Sequence, residues 1–501
     1  LPEMFTSLGI PVLTADAVPG VNDVDLTNSR LDVVNNYHAR MLGSAVIAAE
    51  NPHLEYVQIV SFGCDHDAYL SDEIIRLMKQ GSGKIPLVLK LDESEIQGPL
   101  RIRVRSFIET VRMQREKHEE APVHALTDPY PVKYEKKDRK ERIVLIPNTS
   151  HAFCRVMSAA MERQGLRAEP LPIGRDEAIR LGKKYVHNDI CFPAQIVIGE
   201  ALAALKSGKY DGKDVAIATG KYIGDCRLTH YSALLRKALD DAGFSDVPIL
   251  TNDDADFHNL HPGFRLNLLS ALRIAYALPM IDILEELLRK IRPYELTKGN
   301  ADAAFEQAMD AVIDGLSRHG VNGAKHGFEI IEARMSDVIQ KSYFYRDMQV
   351  REYHLHKPLQ EKLWYRMADL FFDLAHDAAD KIASAHPLYD RPAVRLPELV
   401  KESDPIIHHT FDAGEGVLIP GEILHHAAHG CRAFVILQPF GCLPNHVVGR
   451  GISKRLKELY PDVQILPLDY DPDVSFANIE NRLQMLIMNA REQEAEKDKT
   501  K

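Results

Sequence analysis

The sequence lacks the features of several large classes of protein. It contains no apolar run of about 18 residues, so no segment is suited to span a membrane. Its six cysteines in 501 residues are too few for a disulfide-stapled scaffold. Acidic residues outnumber basic ones by 72 to 61, and the net charge of −11 argues against a nucleic-acid partner. Aromatic residues make up only 7% of the chain, but a hydrophobic content of 45% is that of a globular protein and excludes wholesale disorder.

The first residues, LPEMFTSLGIPVL, begin with Leu and show no basic segment followed by an apolar one, as an export signal would. We expect the chain to be part of a longer cytoplasmic protein. Its cysteines should then be reduced thiols, and a cysteine in an unusual position is more readily explained as a ligand or reactive group than as half of a disulfide.

Short β-branched runs alternate with longer helical patterns, which predicts an α/β fold. We expect several open Rossmann-like or flavodoxin-like parallel-sheet units with an intervening helical region. The predicted units are a partial α/β unit at 1–115, a charged linker at 116–141, an α/β unit with Cys191 and Cys226 at 142–262, a helical region at 263–327, an α/β unit with Cys442 at 328–490, and a frayed tail at 491–501.

Three details of this prediction depend on single segments. The apolar helix at 264–291 contains Pro279, which should kink or break it. The run PIIHHTF at 405–411 is predicted as a strand. The third α/β unit begins abruptly at Phe328, and we expect that a strand and a helix are missing just before it.

The chain also contains an internal repeat. The stretch VQIVSFGCDHDA, followed by LKLDESEI, matches FVILQPFGCLPNHV, followed by LPLDYDPDV. Cys64 aligns with Cys442, and Asp92 aligns with Asp469. The pattern predicts two copies of a strand–loop–helix–strand–helix unit.

Four cysteines share one local setting, directly before a predicted helix. Cys64, Cys226 and Cys442 follow a strand and a short loop, and Cys191 precedes FPAQIVIGEALAAL. A helix N-terminus offers unpaired N–H groups and a partial positive charge, which lowers a thiol's pKa and suits a thiolate that ligates a metal or a cluster. The alternative is that each is a small buried hydrophobe, and we assign structural roles to Cys154 and to Cys431, which lies at the start of the predicted strand AFVILQ.

Polar residues follow Cys226 in the sequence GDCRLTHY. We predict that Arg227, Thr229 and His230 face a substrate, because a cationic arginine favours an anionic cluster or a phosphate. A helix cap at Thr229 beside a solvated arginine explains the same residues equally well.

The segment EILHHAAHG places His425 and His429 on one helix face, a spacing that could hold a metal. It lacks the H-E-x-x-H pattern and a neighbouring carboxylate, so a helix face at a domain contact is the favoured interpretation. No frame for an ATP-binding loop is found in the chain.

Three long motifs resemble one known family. HNDICFPAQIVIGEALAAL, TGKYIGDCRLTHYSALLRKALDDAG and PFGCLPNHVVGRG resemble the C-terminal region of the large activase-related proteins of the 2-hydroxyacyl-CoA dehydratase group. The segments around SFGCDHDA and LKLDESEIQGPLRIRVRSFIE resemble the end of the preceding dehydratase-like unit.

The resemblance implies α/β domains around a cysteine-held iron–sulfur cluster, of the 4Fe–4S or a related type. Cys191, Cys226 and Cys442 would be its ligands, and Cys64 would belong to the site of the preceding unit. It also implies an anaerobic function in low-potential electron transfer or in the radical dehydration of an acyl-CoA. The chain would then be part of a dehydratase (a lyase) or of its ATP-dependent activase, with the ATPase domains elsewhere in the same or another chain.

Two other functions remain open from the sequence. The chain would in one case be a non-catalytic scaffold that binds a dehydratase or activase partner. In the other it would hold zinc through Cys442 or His425.

Overall fold

The computed structural model describes residues 2–499, apart from 34, 62–63, 92–96, 117–122, 223, 225, 252–260, 320–334, 386–388 and 390–393. Within these residues the fold is mixed α/β, with parallel sheets of two, four and two strands. The strands are β1 (Val57–Ser61), β2 (Leu87–Leu91), β3 (Ile143–Ile146), β4 (Arg167–Pro170), β5 (Val215–Ala218), β6 (Ile249–Leu250), β7 (Ala433–Pro439) and β8 (Gln464–Tyr470).

Helices make up most of the described chain. They are α1 (Pro2–Thr6), α2 (Asn36–Glu50), α3 (Asp65–Ser82), α4 (Gln97–Glu116), α5 (Asp138–Glu141), α6 (His151–Glu162), α7 (Asp176–Tyr185), α8 (Phe192–Lys206), α9 (Tyr231–Asp241), α10 (Leu268–Ile291), α11 (Asn300–His319), α12 (Met335–Glu352), α13 (Leu359–Ala383), α14 (Leu396–Glu402), α15 (Leu418–Ala428), α16 (Ser453–Leu459) and α17 (Phe476–Lys499). Among the described residues, none of these helices combines the length and apolarity needed to cross a bilayer.

The central sheet has the strand order β4–β3–β5–β6, and all of its pairs are parallel. Successive side chains of a strand point to opposite faces. Leu145 and Ile217 therefore join the core formed with α8 and α9, whereas Val144 and Ala216 pack toward α6. Both faces are covered, as a parallel sheet requires.

The two outer sheets correspond to the two copies of the predicted repeat. β1 and β2 form one parallel pair, with α3 between them in the chain and α4 after them. β7 and β8 form the other, with a π-helix (Pro444–Arg450) and α16 between them and α17 after them. Cys64 and Cys442 occupy the same place in both copies, between the first strand and the following helix.

The prediction of a strand at 405–411 is wrong, because these residues form turns. The Ser403 hydroxyl donates to the carbonyl of Ile407, and the Asp404 carboxylate accepts from the backbone N–H of His409. Such local side-chain bonds compete with a β-ladder for the backbone. In addition, α10 runs as one helix through Pro279, and α17 extends into the stretch that was predicted to fray. The segment expected to be missing before Phe328 lies outside the described residues.

The hydrophobic cores cross the stretch predicted as a linker. One core joins Leu42 and Leu70 of the first unit to Leu202 and Leu235 of the second. Tyr134, inside the stretch 116–141, is fully buried against the other face of the central sheet. The first two predicted units therefore share a core in the described part of the chain.

Two glycines allow α7 and α8 to pack closely, and the loop between these helices carries Cys191. A Cβ atom at Gly199 would overlap the backbone carbonyl of Ala178, and one at Gly182 would overlap that of Gln195. Neither obstacle is a flexible side chain, so the helices themselves must separate to accept a methyl group.

We expect Gly199→Ala to lower the free energy of unfolding by about 1–3 kcal/mol, because the added methyl group overpacks this helix contact. Urea unfolding followed by circular dichroism measures the loss. Gly98→Ala is the matched control, since it is also a helical glycine but has open space around it. Equal stabilities of the two variants would contradict the close-packing argument.

Candidate functional site

Cys191 is the N-cap residue of α8 and is almost completely buried. Its sulfur lies 3.5 Å from the hydroxyl oxygen of Tyr231, the first residue of α9. The next backbone N–H, that of Phe192, donates to the carbonyl of Phe440 at 2.8 Å. This bond ties the start of α8 to the loop that leads to Cys442, although 250 residues separate the two segments in the chain.

Cys226 is the N-cap residue of a short 3-10 helix, Arg227–His230, that leads into α9. The hydroxyl of Thr229 holds the preceding loop because it lies against the carbonyl oxygens of Tyr222 and Gly224, one of which accepts its proton. The backbone N–H of Thr229 donates to the carbonyl of Cys226 itself. Thr229 therefore holds the backbone of Tyr222, Gly224 and Cys226 close together in the segment that follows β5.

Cys442 lies just before the π-helix that follows β7. Asn445 donates from its side-chain amide to the Cys442 sulfur at 3.1 Å and to the Glu415 carboxylate at 3.0 Å. The Glu415 oxygen is 3.9 Å from the same sulfur. Asn445 thus holds the thiol and the carboxyl group side by side.

The three cysteines predicted as ligands all lie within electrostatic reach of Tyr231, and Cys191 contacts it directly. Burial raises the pKa of Tyr231 far above its ordinary value, and negative charge on Cys191, Cys226 or Cys442 raises it further. Gly414 connects the last two, because a Cβ atom there would lie 3.4 Å from the Cys226 sulfur and 3.2 Å from Pro444. Three segments remote in the chain therefore bring their thiols to one place.

The donors in this region fit an iron–sulfur group better than a single hard ion. Three thiols are soft ligands, and each precedes a helical segment whose first N–H groups can stabilise a thiolate. Among the described residues, no three His, Cys, Asp or Glu side chains are already arranged around the position of a single metal ion. A cluster spreads its thiolates over a body several ångströms wide, so it does not require that arrangement.

The expectation of lowered thiol pKa values is wrong for two of the cysteines. Burial raises the pKa of Cys226 to about 12, and the charges of Glu415 and Cys442 add to this effect against the smaller influence of Arg227. Burial likewise raises the pKa of Cys64. Desolvation of the thiolate outweighs the helix terminus at both positions, so a ligand would have to displace a proton from Cys226.

A buried polar network adjoins the cysteines and was not anticipated from the sequence. The ammonium group of Lys341, only 1% exposed, donates to Asp412 and to the hydroxyl of Tyr222 at 3.1 Å. The same ammonium lies 4.1 Å from the ring centroid of Tyr345. Burial lowers the pKa of Lys341, whereas Asp412, Cys226 and Glu415 raise it. The glycine-rich sequence FDAGEGVLIPGE at 411–422 is the signal from which a functional loop could be expected here.

Arg227 and His230, predicted to face a substrate, are both buried. Arg227 is 2.8 Å from the Nε2 atom of His66, and the ring of His230 lies 4.2 Å from that of Tyr69. Burial lowers the pKa of His66 to about 3, and the Arg227 charge lowers it further. Thr229 is fully buried, and its hydroxyl holds the loop as described above.

Cys64 is the N-cap residue of α3. The Arg227 charge lowers the thiol pKa of both Cys64 and Cys226, although burial dominates each. Arg227 is therefore within electrostatic reach of both thiols.

The sulfurs of Cys154 and Cys431 have local backbone contacts of their own. Cys154 is fully buried and donates to the carbonyl of Pro147, whereas Cys431 is exposed. His425 and His429 do lie together, with ring centroids 4.3 Å apart. The view from sequence that they lack a carboxylate is wrong, because Glu402 lies 3.1 Å from the Nδ1 atom of His425.

Comparison of the chain with protein-family models, with curated proteins and with solved structures finds no match for any part of it.

Proposed function

We propose that this chain is an iron–sulfur module of the 2-hydroxyacyl-CoA dehydratase and activase group. Cys191, Cys226 and Cys442 would hold the cluster, of the 4Fe–4S or a related type. The observation that carries the proposal is the convergence of these three thiols around Tyr231. The order of the central sheet, with its helix-covered faces, supports an open flavodoxin-like unit, in which ligands bind at the carboxyl ends of the strands.

The protein's own groups would each have a defined task at such a site. Asn445 donates to the Cys442 sulfur and keeps it beside Glu415. The Tyr231 hydroxyl contacts the Cys191 sulfur from within the core, where it excludes water. The hydrogen bond from the backbone N–H of Phe192 to the carbonyl of Phe440 keeps the start of α8, with Cys191, near the loop that carries Cys442.

Bound by three thiolates, such a cluster would supply a low-potential electron and one open iron position for the oxygen of an acyl-CoA. Glu415 is nearly fully buried, and burial raises the pKa of its carboxyl group. It is therefore suited to hold a proton beside the Cys442 thiol. We place the chain in a reducing, cytoplasmic compartment, in which its six cysteines would be thiols.

A second function, a module that binds ATPase or activase domains, is favoured by one surface. The outer face of α13 exposes Leu363, Met367, Leu370 and Leu374 at spacings of four, three and four residues. This is the a/d pattern of a helix that packs on another helix. A partner-binding role is compatible with an iron–sulfur site in the same chain.

Anaerobic reconstitution tests the proposal directly. The purified chain, incubated with iron, sulfide and a thiol reductant, should retain about four iron and four sulfide per chain after desalting. The expected measurements are metal and sulfide analysis together with an electron paramagnetic resonance signal on reduction. A folded chain that retains no iron would overturn the proposal, and zinc without sulfide would point instead to a Cys/His zinc site.

A further inference from the structure

A basic cavity of about 460 Å³ lies on the side of the central unit where α7 ends. Lys183 and Lys184 line it from the end of α7, Lys90 from β2 and Lys237 from α9. Its volume lies within the range of pockets that hold small molecules. The cavity therefore gathers four lysines from three separate elements in a chain whose net charge is −11.

Two carboxylates in the wall offset only part of this charge. Asp189 pairs with Lys90, and Asp72 lies 3.9 Å from the ammonium of Lys237. Burial raises the pKa of Asp72, which favours its neutral form. Among the lining residues themselves, four lysines outnumber two carboxylates, and outside the lining the carboxylate of Asp241 pairs with Lys237 at 2.9 Å.

The other two lysines are held more loosely at the rim. Lys183 reaches the highly exposed carboxylate of Asp473, and the ammonium of Lys184 lies 5.1 Å from the ring centroid of Tyr185. Exposed ion pairs of this kind contribute little free energy, so a stronger anion can replace Asp473 at small cost.

From this geometry we propose that the cavity binds a small phosphorylated ligand carrying two or more phosphates. Lysine ammonium groups act as point charges that match phosphate oxygens from several directions. His187 and Asn188 add further polar groups to the same wall. A diphosphate carries enough charge to engage lysines from both α7 and α9, whereas a single carboxylate reaches one of them.

The lining of the cavity contains no cysteine, but the segment that forms one of its walls directly precedes Cys191 in the sequence. The turn from His187 to Asp189 forms one wall of the cavity. The backbone N–H of Ile190 donates to the carbonyl of His187, and that of Asp189 donates to the Nδ1 atom of the His187 ring. Cys191 follows this turn. The binding proposal itself does not rest on the presence of a cluster.

Titration calorimetry on the cluster-free, folded chain tests the proposal, with pyrophosphate as the probe at low ionic strength. We expect saturable binding that weakens as salt is added. The triple variant Lys183→Gln, Lys184→Gln, Lys237→Gln should raise the dissociation constant at least about tenfold, because three charge-assisted contacts are lost. Lys209→Gln, which breaks a comparable exposed pair with Glu169, is the matched control and should change it less than about twofold.

Parallel titrations with ATP and coenzyme A distinguish the source of the phosphates. If ATP and coenzyme A bind no better than pyrophosphate, the cavity recognises only the phosphate groups. Tighter binding of one of the two would identify that nucleotide as the ligand. A thermal unfolding transition establishes that each variant is folded. If the triple variant is not folded, the single variant Lys184→Gln replaces it in the binding experiment. Absence of pyrophosphate binding to the unmodified chain, or unchanged binding by the folded variants, would overturn the proposal.

Discussion

Replacing Cys226 with alanine is expected to reduce the iron retained after reconstitution to below about a tenth of that of the unmodified chain. Loss of an outer partner of a metal ligand already weakens metal binding by about 10–100-fold, and loss of a ligand should exceed this. The same result is expected for Cys191→Ala and Cys442→Ala, because the three thiols face one region around Tyr231. Iron and sulfide analysis of each variant after identical anaerobic treatment provides the measurement.

Two cysteines provide matched controls for this series. Cys154→Ala removes a buried thiol that bonds only locally, and Cys431→Ala removes an exposed one. Both should retain the full iron content. Cys64→Ala should also retain it, since this thiol belongs to the first copy of the repeat. Equal iron contents in Cys226→Ala and Cys154→Ala would mean that the convergence of thiols has no role in metal binding.

Asp412→Ala is expected to lower the free energy of unfolding by about 3–5 kcal/mol, the second large effect we predict. The substitution leaves the ammonium of Lys341 buried without its carboxylate, and an uncompensated buried charge is strongly unfavourable. The Tyr222 hydroxyl loses its acceptor at the same time. Urea unfolding followed by circular dichroism measures the change.

The double variant Lys341→Met, Asp412→Ala distinguishes the loss of stability caused by an unpaired buried charge from the loss caused by poorer packing. Removing both partners should restore most of the stability, because no unpaired charge remains. Glu458→Ala, which breaks an exposed pair with Arg455, is the control for a surface ion pair and should cost less than about 1 kcal/mol. A double variant as unstable as Asp412→Ala would show that the loss arises from packing rather than from charge.

Much of the fold could be read from local patterns. The buried runs that became β3 and β5 are continuous and apolar, and their chain order with helices between them predicts a parallel sheet. The repeat predicted that Cys64 and Cys442 would occupy equivalent places, and both follow a parallel strand and precede a helix. Whether a cysteine precedes a helix depends only on nearby residues, and this position could therefore be predicted from the sequence.

Other features depended on contacts that no local pattern encodes. The run at 405–411 has the composition of a strand, but Ser403 and Asp404 bond its backbone into turns. The helix terminus at Cys226 predicts a lowered thiol pKa, whereas burial by distant segments raises it. Whether a thiolate is solvated is decided by what packs over it.

The sequence by itself determined the α/β class of this protein, most of its strands, and the placement of Cys64, Cys191, Cys226 and Cys442 before helical segments, because hydrophobic periodicity and turn chemistry act over a few residues. Only the tertiary structure decided that Cys191, Cys226 and Cys442 lie within electrostatic reach of Tyr231, that Lys341 is buried against Asp412, and that lysines of α7, β2 and α9 line one cavity. These groupings arise from the packing of helices and strands far apart in the chain, where shared burial and long-range charge determine which side chains become neighbours.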